Sequence, residues 1–135
     1  MLYLASPYTH ENEAVREERF QAACLAAAML IREGRNVFSP IAHSHPIAEH
    51  GLPIDADYWM KWNLEMMGTC CGMIVLRLEG WEISRGVTME LAKAREWGMP
   101  VEFLDLPTVA PRDHVRADIG VVRVRSADEK EPTCR

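Results

Sequence analysis

The chain of 135 residues is long enough for one domain with a hydrophobic core and too short for two domains of ordinary size. Its residues are 48% hydrophobic and 26% charged, which indicates a globular protein rather than a disordered one. The formal net charge of -5 argues against a general nucleic-acid-binding protein, because such proteins usually carry a basic face. This charge does not exclude a small anionic ligand held by local dipoles.

The cysteines and the apolar segments indicate a cytoplasmic protein. The four cysteines are Cys24, Cys70, Cys71 and Cys134. They form no Cys-x-x-Cys pair, so we expect reduced thiols. The first predicted strand begins at residue 2, so we expect no signal peptide. No apolar run approaches the ~20 residues that cross a bilayer, so we expect no membrane partner.

Short apolar runs alternate with helical patterns along most of the chain. The predicted strands span Leu2–Ala5, residues 36–38, residues 73–76 and residues 101–104. The predicted helices span residues 13–33, a segment from Asp55 or Asp57 to Met67, and a segment that ends near Trp97. Residues 41–57 predict a long irregular loop, and the buried side of the second helix is assigned to Trp59, Trp62 and Met66.

This alternation predicts an α/β protein, a flavodoxin-like or Rossmann-like three-layer sandwich with a four- or five-stranded parallel sheet. We assign residues 1–104 to this domain and residues 105–135 to an extension, with an edge strand at 121–124 and a mobile tail from residue 126. Right-handed crossovers bring the carboxyl ends of parallel strands to one edge, where open sheets bind ligands. Polar segments follow three of the strands, so we expect a site at that edge.

The segment after the third strand combines a glycine-containing turn with the start of a helix. The first N–H groups of a helix lack partners, so such a segment is a natural site for an anion. The alternative is an ordinary turn between strand and helix, with Ser84 as a helix cap and Glu90 as an exposed acid.

Three features of the chain together resemble a known superfamily. They are Tyr3 in the first strand, Gly86-x-x-x-Glu90 at the start of the third helix, and Gly98-x-Pro100-Val101 before the next strand. Their order and spacing resemble the nucleoside 2-deoxyribosyltransferase superfamily, which includes nucleoside 5′-monophosphate N-glycosidases. The segments YLASPYTH and GWExSxG are similar to an uncharacterised bacterial and phage branch. The resemblance does not extend past Leu104.

The resemblance implies a covalent mechanism. Glu90 would be the nucleophile that attacks the anomeric carbon and expels the base, and the Tyr3 hydroxyl would orient it. We expect nearby helix amides to keep Glu90 ionised. Asn63 stands where the hydrolases carry a catalytic aspartate, and an amide cannot transfer a proton. The available substitutes for this acid are Asp57, Asp55, His43 and His45. The alternatives are a surface glutamate and a core tyrosine.

The resemblance also implies how a ligand is held. Ser84 stands where the monophosphate hydrolases bind phosphate through a serine, whereas free-nucleoside transferases carry an aspartate that would repel phosphate. Ser6, Arg85 and Gly86 would complete this phosphate site. The candidates for base recognition are His43, His45 and Trp81.

The histidines raise a zinc alternative. The pair His43-x-His45, with His10 and His50 nearby in sequence, is not completed by a second ligand pair, so we predict no metal and no cofactor. The predicted function is hydrolysis of the N-glycosidic bond of a (deoxy)nucleoside 5′-monophosphate by a homo-oligomer. The alternatives are deoxyribosyl transfer, a non-catalytic nucleotide-binding module and, last, a zinc-dependent hydrolase.

Overall fold

A mixed five-stranded sheet forms the centre of the protein. The computed structural model describes residues 1–107 and the strand residues 122–124. The strands are β1 (Leu2–Ala5), β2 (Val37–Phe38), β3 (Gly72–Leu76), β4 (Val101–Asp105) and β5 (Val122–Val124), in the order β2-β1-β3-β4-β5. Strands β1 to β4 are parallel, and β5 pairs with β4 in the antiparallel direction. The helices are α1 (Glu13–Arg32), α2 (Pro40–Ala48), α3 (Ala56–Gly68) and α4 (Arg85–Glu96).

The two central strands are buried along their whole length. Residues 2–5 of β1 and 72–76 of β3 are all buried, which is typical of parallel strands covered on both faces. Alternate side chains enter two hydrophobic clusters. Tyr3 and Val75 pack with residues of α3 and α4, while Leu4 and Ile74 pack with residues of α1. The predicted α/β sandwich is therefore confirmed, with helices on both faces of the sheet.

Each helix begins with a polar cap that accepts a backbone N–H. The bonds are Asn12 Oδ1 with Ala14 N at 2.9 Å, Ser39 Oγ with Ala42 N at 3.2 Å, Asp55 Oδ1 with Tyr58 N at 2.9 Å, and Ser84 Oγ with Val87 N at 3.4 Å. Helices α1, α2 and α4 follow β1, β2 and β3, so their N-termini open at the carboxyl edge of the sheet. This arrangement concentrates unpaired amides at one edge.

The prediction of an irregular loop at residues 41–57 is wrong. Its first half forms α2, in which Ser39 is the N-cap and Pro40 occupies the first turn. Proline at this position is favourable because its missing N–H would have no partner there. The Ser-Pro pair thus begins a helix here, although it also ends a strand.

The predicted buried side of α3 is wrong as well. Its buried residues are Met60, Asn63 and Met67, while the side chain of Trp62 is 47% exposed. Trp59 is partly buried and donates its Nε1–H to the Pro53 carbonyl at 2.7 Å. The inward face of α3 therefore carries an amide into the interior, which hydrophobicity alone would not indicate.

The remaining expectations concern the edge strand, the tail and the cysteines. The predicted edge strand exists at Val122–Val124 and pairs with β4 in the antiparallel direction, beside the predicted parallel sheet of four strands. The tail from residue 126 lies outside the described residues. Cys24 and Cys70 are free thiols, whereas Cys71 is disulfide-bonded, so the expectation of reduced thiols fails there. Among the described residues, no helix has the length and apolar character to span a membrane.

Candidate functional site

A cavity of about 410 Å³ opens at the carboxyl edge of the sheet. Its walls come from the segment after β1, from α1 and α2, from the start of α3, and from residues 80–90. The chain leaves β1 toward β2 and leaves β3 toward β4, so the connections diverge between these two central strands. Ligand sites of doubly wound sheets lie at such a switch point.

Glu90 lies at the buried end of this cavity, with 4% of its surface exposed. It shares the inward face of α4 with Val87 and Ala94, so the helix packing carries it against the sheet. The Tyr3 hydroxyl donates to Glu90 Oε1 at 2.6 Å, and Asn63 Nδ2 donates to the same oxygen at 3.4 Å. The alternative of an exposed surface glutamate is therefore wrong. Tyr3 is fully buried, as the alternative of a core tyrosine expects, and its hydroxyl also bonds to Glu90.

Burial raises the pKa of Glu90 to about 7, although the hydrogen bonds from Tyr3 and Asn63 lower it. Burial and the neighbouring Glu90 raise the pKa of Tyr3 well above its ordinary value, so Tyr3 remains a donor. The expectation that helix amides keep Glu90 fully ionised is wrong, because burial raises its pKa and Glu90 lies beyond the first turn of α4. The site instead holds a carboxyl group that changes charge near neutral pH.

Two buried polar atoms in the cavity wall have no hydrogen-bond partner among the described residues. They are Ser6 Oγ and Asn63 Oδ1, and both residues line the cavity. An unsatisfied buried polar atom costs about 1–3 kcal/mol. These two atoms are therefore available to hydrogen-bond a ligand close to Glu90.

The candidate phosphate residues lie around the N-terminus of α4. Ser84, Arg85 and Gly86 line the cavity. Arg85 Nη2 forms an ion pair with Asp57 Oδ1 at 3.0 Å, and their side chains are 70% and 59% exposed. Arg85 and Asp57 thus lie at the solvent-exposed part of the cavity wall, unlike the buried Glu90. Such an exposed pair contributes little to stability.

Of the three candidates for base recognition, only His45 lines the cavity. His43 stacks on Trp62 with ring centroids 5.9 Å apart, and Trp81 packs on Phe103 at 5.7 Å. His43 and Trp81 are therefore not brought to this site. In the part of the chain that the structure describes, no group of three or more potential metal ligands lies together.

Two features of the cavity wall could not be predicted from the sequence. Arg19 donates to the Thr9 carbonyl at 3.0 Å and to the Glu79 carbonyl at 3.1 Å, so it joins the segments that follow β1 and β3. The Tyr8 hydroxyl lies 2.7 Å from His45 Nδ1, while His45 Nε2 lies 3.0 Å from Glu17 Oε2. Arg19 and Glu17 resemble ordinary charged residues of an exposed helix, so their sequence gives no signal.

The amino-acid sequence matches the model of a protein family whose function is not known. The family model described as a domain of unknown function (DUF1937) matches residues 1–105. The chain belongs to the DUF1937 family. No curated protein matches it. The matched part of this DUF1937 chain contains β1 to β4, all four of the helices described above and every residue that lines the cavity.

The buried Glu90 makes the stability of the DUF1937 domain depend on pH. Its pKa in the folded state, about 7, exceeds the ordinary 4.5, so the folded state keeps a proton that the unfolded chain releases between these values. We expect the free energy of unfolding to fall as pH rises through this interval, by roughly 3 kcal/mol from this group, since each pKa unit is ~1.4 kcal/mol.

Urea unfolding at about pH 5 and about pH 8 measures this dependence. Glu90→Gln is the matched variant, because it keeps the shape of the side chain and cannot ionise. The free energy of unfolding should fall much less between these two pH values in the variant than in the wild type. Equal decreases in the two proteins would contradict the pKa assigned to Glu90.

Gly80 provides a test of the turn that shapes the cavity. Its φ is +82°, and an added Cβ would lie 3.2 Å from Arg19 Nη2. We expect Gly80→Ala to lower the free energy of unfolding by about 1–2 kcal/mol, since the left-handed conformation is costly for alanine.

Gly86→Ala is the control for this variant. Gly86 lies in the helical backbone of α4, and its added Cβ would meet only Ala56 Cβ at 3.8 Å, an ordinary contact. Its stability should change by less than about 1 kcal/mol. Both free energies are measured by urea unfolding. A loss of stability in Gly80→Ala no larger than that in Gly86→Ala would contradict the conformational constraint assigned to Gly80.

Proposed function

We propose that this DUF1937 protein hydrolyses the N-glycosidic bond of a (deoxy)nucleoside 5′-monophosphate, with Glu90 as the nucleophile. The observation that supports the proposal best is the buried carboxyl of Glu90 at the end of a cavity, hydrogen-bonded by Tyr3 at 2.6 Å. A carboxylate held in this way can form a covalent glycosyl intermediate and divide a difficult reaction into two easier steps.

The hydrogen bonds of Glu90 indicate which oxygen attacks. Among the described residues, the side-chain donors of Tyr3 and Asn63 both bond to Oε1. We therefore assign the attack on the anomeric carbon to Oε2. The bond from that carbon to the base nitrogen breaks as the ester forms, and water later releases the sugar. A pKa of about 7 leaves a substantial fraction of Glu90 ionised at neutral pH.

The polar atoms around Glu90 are suited to a sugar. Asn63 Oδ1 is a buried acceptor without a partner among the described residues, and Asn63 Nδ2 already bonds to Glu90. A hydroxyl group of the sugar would supply the missing donor. Ser6 Oγ offers a second hydrogen-bonding group in the same wall.

The N-terminus of α4 is suited to a phosphate. Ser84 caps this helix, and the first amides of a helix attract anions through unpaired N–H groups and the helix dipole. Gly86 adds no side chain to the cavity wall at this point. Arg85 would supply a cation if the phosphate displaced Asp57 from their exposed ion pair.

One observation favours a different class of function. Asn63 lies 3.4 Å from Glu90 Oε1, and its amide cannot transfer a proton. A non-catalytic nucleotide-binding module would need no such transfer, and turnover separates the two proposals. Transfer of the deoxyribosyl group to a second base is the alternative within the same chemistry. The resemblance also leads us to propose a cytoplasmic homo-oligomer, which analytical ultracentrifugation can test for its oligomeric state.

Loss of the nucleophile gives the first test of catalysis. Glu90→Ala and Glu90→Gln should abolish release of base from a panel of nucleosides and monophosphates, measured by chromatography. The exposed Glu96 on the same helix supplies the control, since Glu96→Gln should leave the rate unchanged. In the wild type, kcat/KM should rise with pH toward about 7, because only the ionised carboxylate attacks. Base release by Glu90→Ala at the parent rate would refute the assignment.

Substrate form gives a second test. We expect at least a tenfold preference for a 5′-monophosphate over the free nucleoside in kcat/KM, which corresponds to ~1.4 kcal/mol. Ser84→Asp should reverse this preference by placing a carboxylate beside the phosphate. Aspartate is as good an N-cap as serine, so the helix start is preserved. Unchanged selectivity in this variant would remove the phosphate site from the proposal and favour a free-nucleoside transferase.

A further inference from the structure

A chain of three side chains ends in the wall of the cavity. The Tyr8 hydroxyl lies 2.7 Å from His45 Nδ1, and His45 Nε2 lies 3.0 Å from Glu17 Oε2. Tyr8 and His45 both line the cavity that contains Glu90. The three residues come from the segment after β1, from α2 and from α1, so the tertiary fold and not local sequence brings them together.

The imidazole of His45 is held in one orientation. Its ring stacks on Phe20 with centroids 4.1 Å apart and planes 18° apart, and its side chain is only 11% exposed. The Tyr8 ring meets it edge-on at 5.5 Å. A second carboxylate, Glu49, lies 3.7 Å from Nε2. Because Phe20 covers one face of the ring and both ring nitrogens have polar partners, the imidazole cannot reorient without losing these interactions.

The surroundings define the direction of the hydrogen bonds. A hydrogen bond from Gln21 and then one from His45 lower the pKa of Glu17, so Glu17 is an ionised acceptor for Nε2–H. In neutral His45 this leaves Nδ1 as the acceptor for the Tyr8 hydroxyl. Burial raises the pKa of Tyr8; Glu17 and Glu49 also raise it, against Arg16, so the hydroxyl stays protonated at neutral pH.

We propose that Tyr8 is the catalytic acid that protonates the leaving base, that His45 resupplies its proton, and that Glu17 is a positioning residue that orients His45. This inference rests on the proposed N-glycosidic cleavage. It gives the cavity the proton donor that Asn63 cannot be. The arrangement has the logic of a catalytic triad, in which a carboxylate orients an imidazole and the imidazole exchanges a proton with a hydroxyl.

The protons balance over one cycle. The reactive form has His45 protonated on both nitrogens. As Glu90 Oε2 bonds to the anomeric carbon, the electron pair of the breaking bond moves to the base nitrogen, which takes the proton of Tyr8. Tyr8 takes the Nδ1 proton of His45. Water then attacks the glycosyl ester, its proton passes through Tyr8 to Nδ1, and the ester electrons return to Glu90 as a carboxylate.

A substrate that needs no acid tests this role. We would compare 2′-deoxyguanosine 5′-monophosphate with its N7-methyl derivative, whose base already carries a positive charge and leaves as a neutral molecule. Tyr8→Phe should lose ~10²- to 10⁴-fold in kcat on the first substrate, the size expected for a positioned acid, and less than tenfold on the second. Glu17→Gln should show the same selective loss to a smaller degree.

The control is Tyr58→Phe, because Tyr58 is 49% exposed on α3 and is not one of the three hydrogen-bonded side chains. Its rates on both substrates should match the wild type. Long-range proton–nitrogen correlation spectra of the wild type should show neutral His45 protonated at Nε2, a measurement that does not depend on turnover.

Two results would overturn the role of Tyr8 alone. They are equal losses on the two substrates in Tyr8→Phe while Glu90 remains essential, and a neutral His45 protonated at Nδ1. A wild type that releases base from neither of these substrates would overturn this role too. Absence of release from the whole nucleoside and monophosphate panel would refute the proposed function itself.

Discussion

The hydrogen bond between Tyr3 and Glu90 joins the central strand β1 to helix α4, and the rest of the site is arranged around it. Burying a carboxyl group is unfavourable unless it is hydrogen-bonded or neutralised. Here both occur in part, because Tyr3 supplies a donor and the pKa rises to about 7. A fold selected only for stability would gain by an apolar residue at this position. The cost of burying Glu90 therefore distinguishes this edge of the sheet from the remainder of the core.

The parallel sheet explains why other polar groups surround Glu90. Strands β1 and β3 are covered on both faces, so their side chains pack in the core, and apart from the Tyr3 hydroxyl the polar groups follow their carboxyl ends. Three helices begin at that edge, and their caps bind backbone amides next to the cavity. Ser6 and Asn63 keep buried polar atoms available in the same wall. The position of the site thus follows from strand direction, whereas its chemistry depends on a few side chains.

The sequence predicted most of the fold because uninterrupted apolar runs and helix signals are local. It failed at α2, where Ser39 and Pro40 read equally well as a turn or as a helix start. The contact between Tyr3 and Glu90 was predictable from the resemblance of the segments that contain them, and the structure shows this contact. The Tyr8–His45–Glu17 chain was not predictable, because its members are separated by 37 and 28 positions and no local pattern links them. The burial of Asn63 was also missed, since an amide carries no hydrophobic signal.

Arg19 gives the cavity a mechanical property. One guanidinium group bonds to carbonyls of the segment after β1 and of the segment after β3. These segments carry Tyr8 on one side and lead to the Ser84 cap on the other. Because Arg19 is hydrogen-bonded to both segments, a ligand that displaces one of them strains these bonds or displaces the other. The two ends of the cavity are therefore expected to move together when a ligand binds, rather than independently.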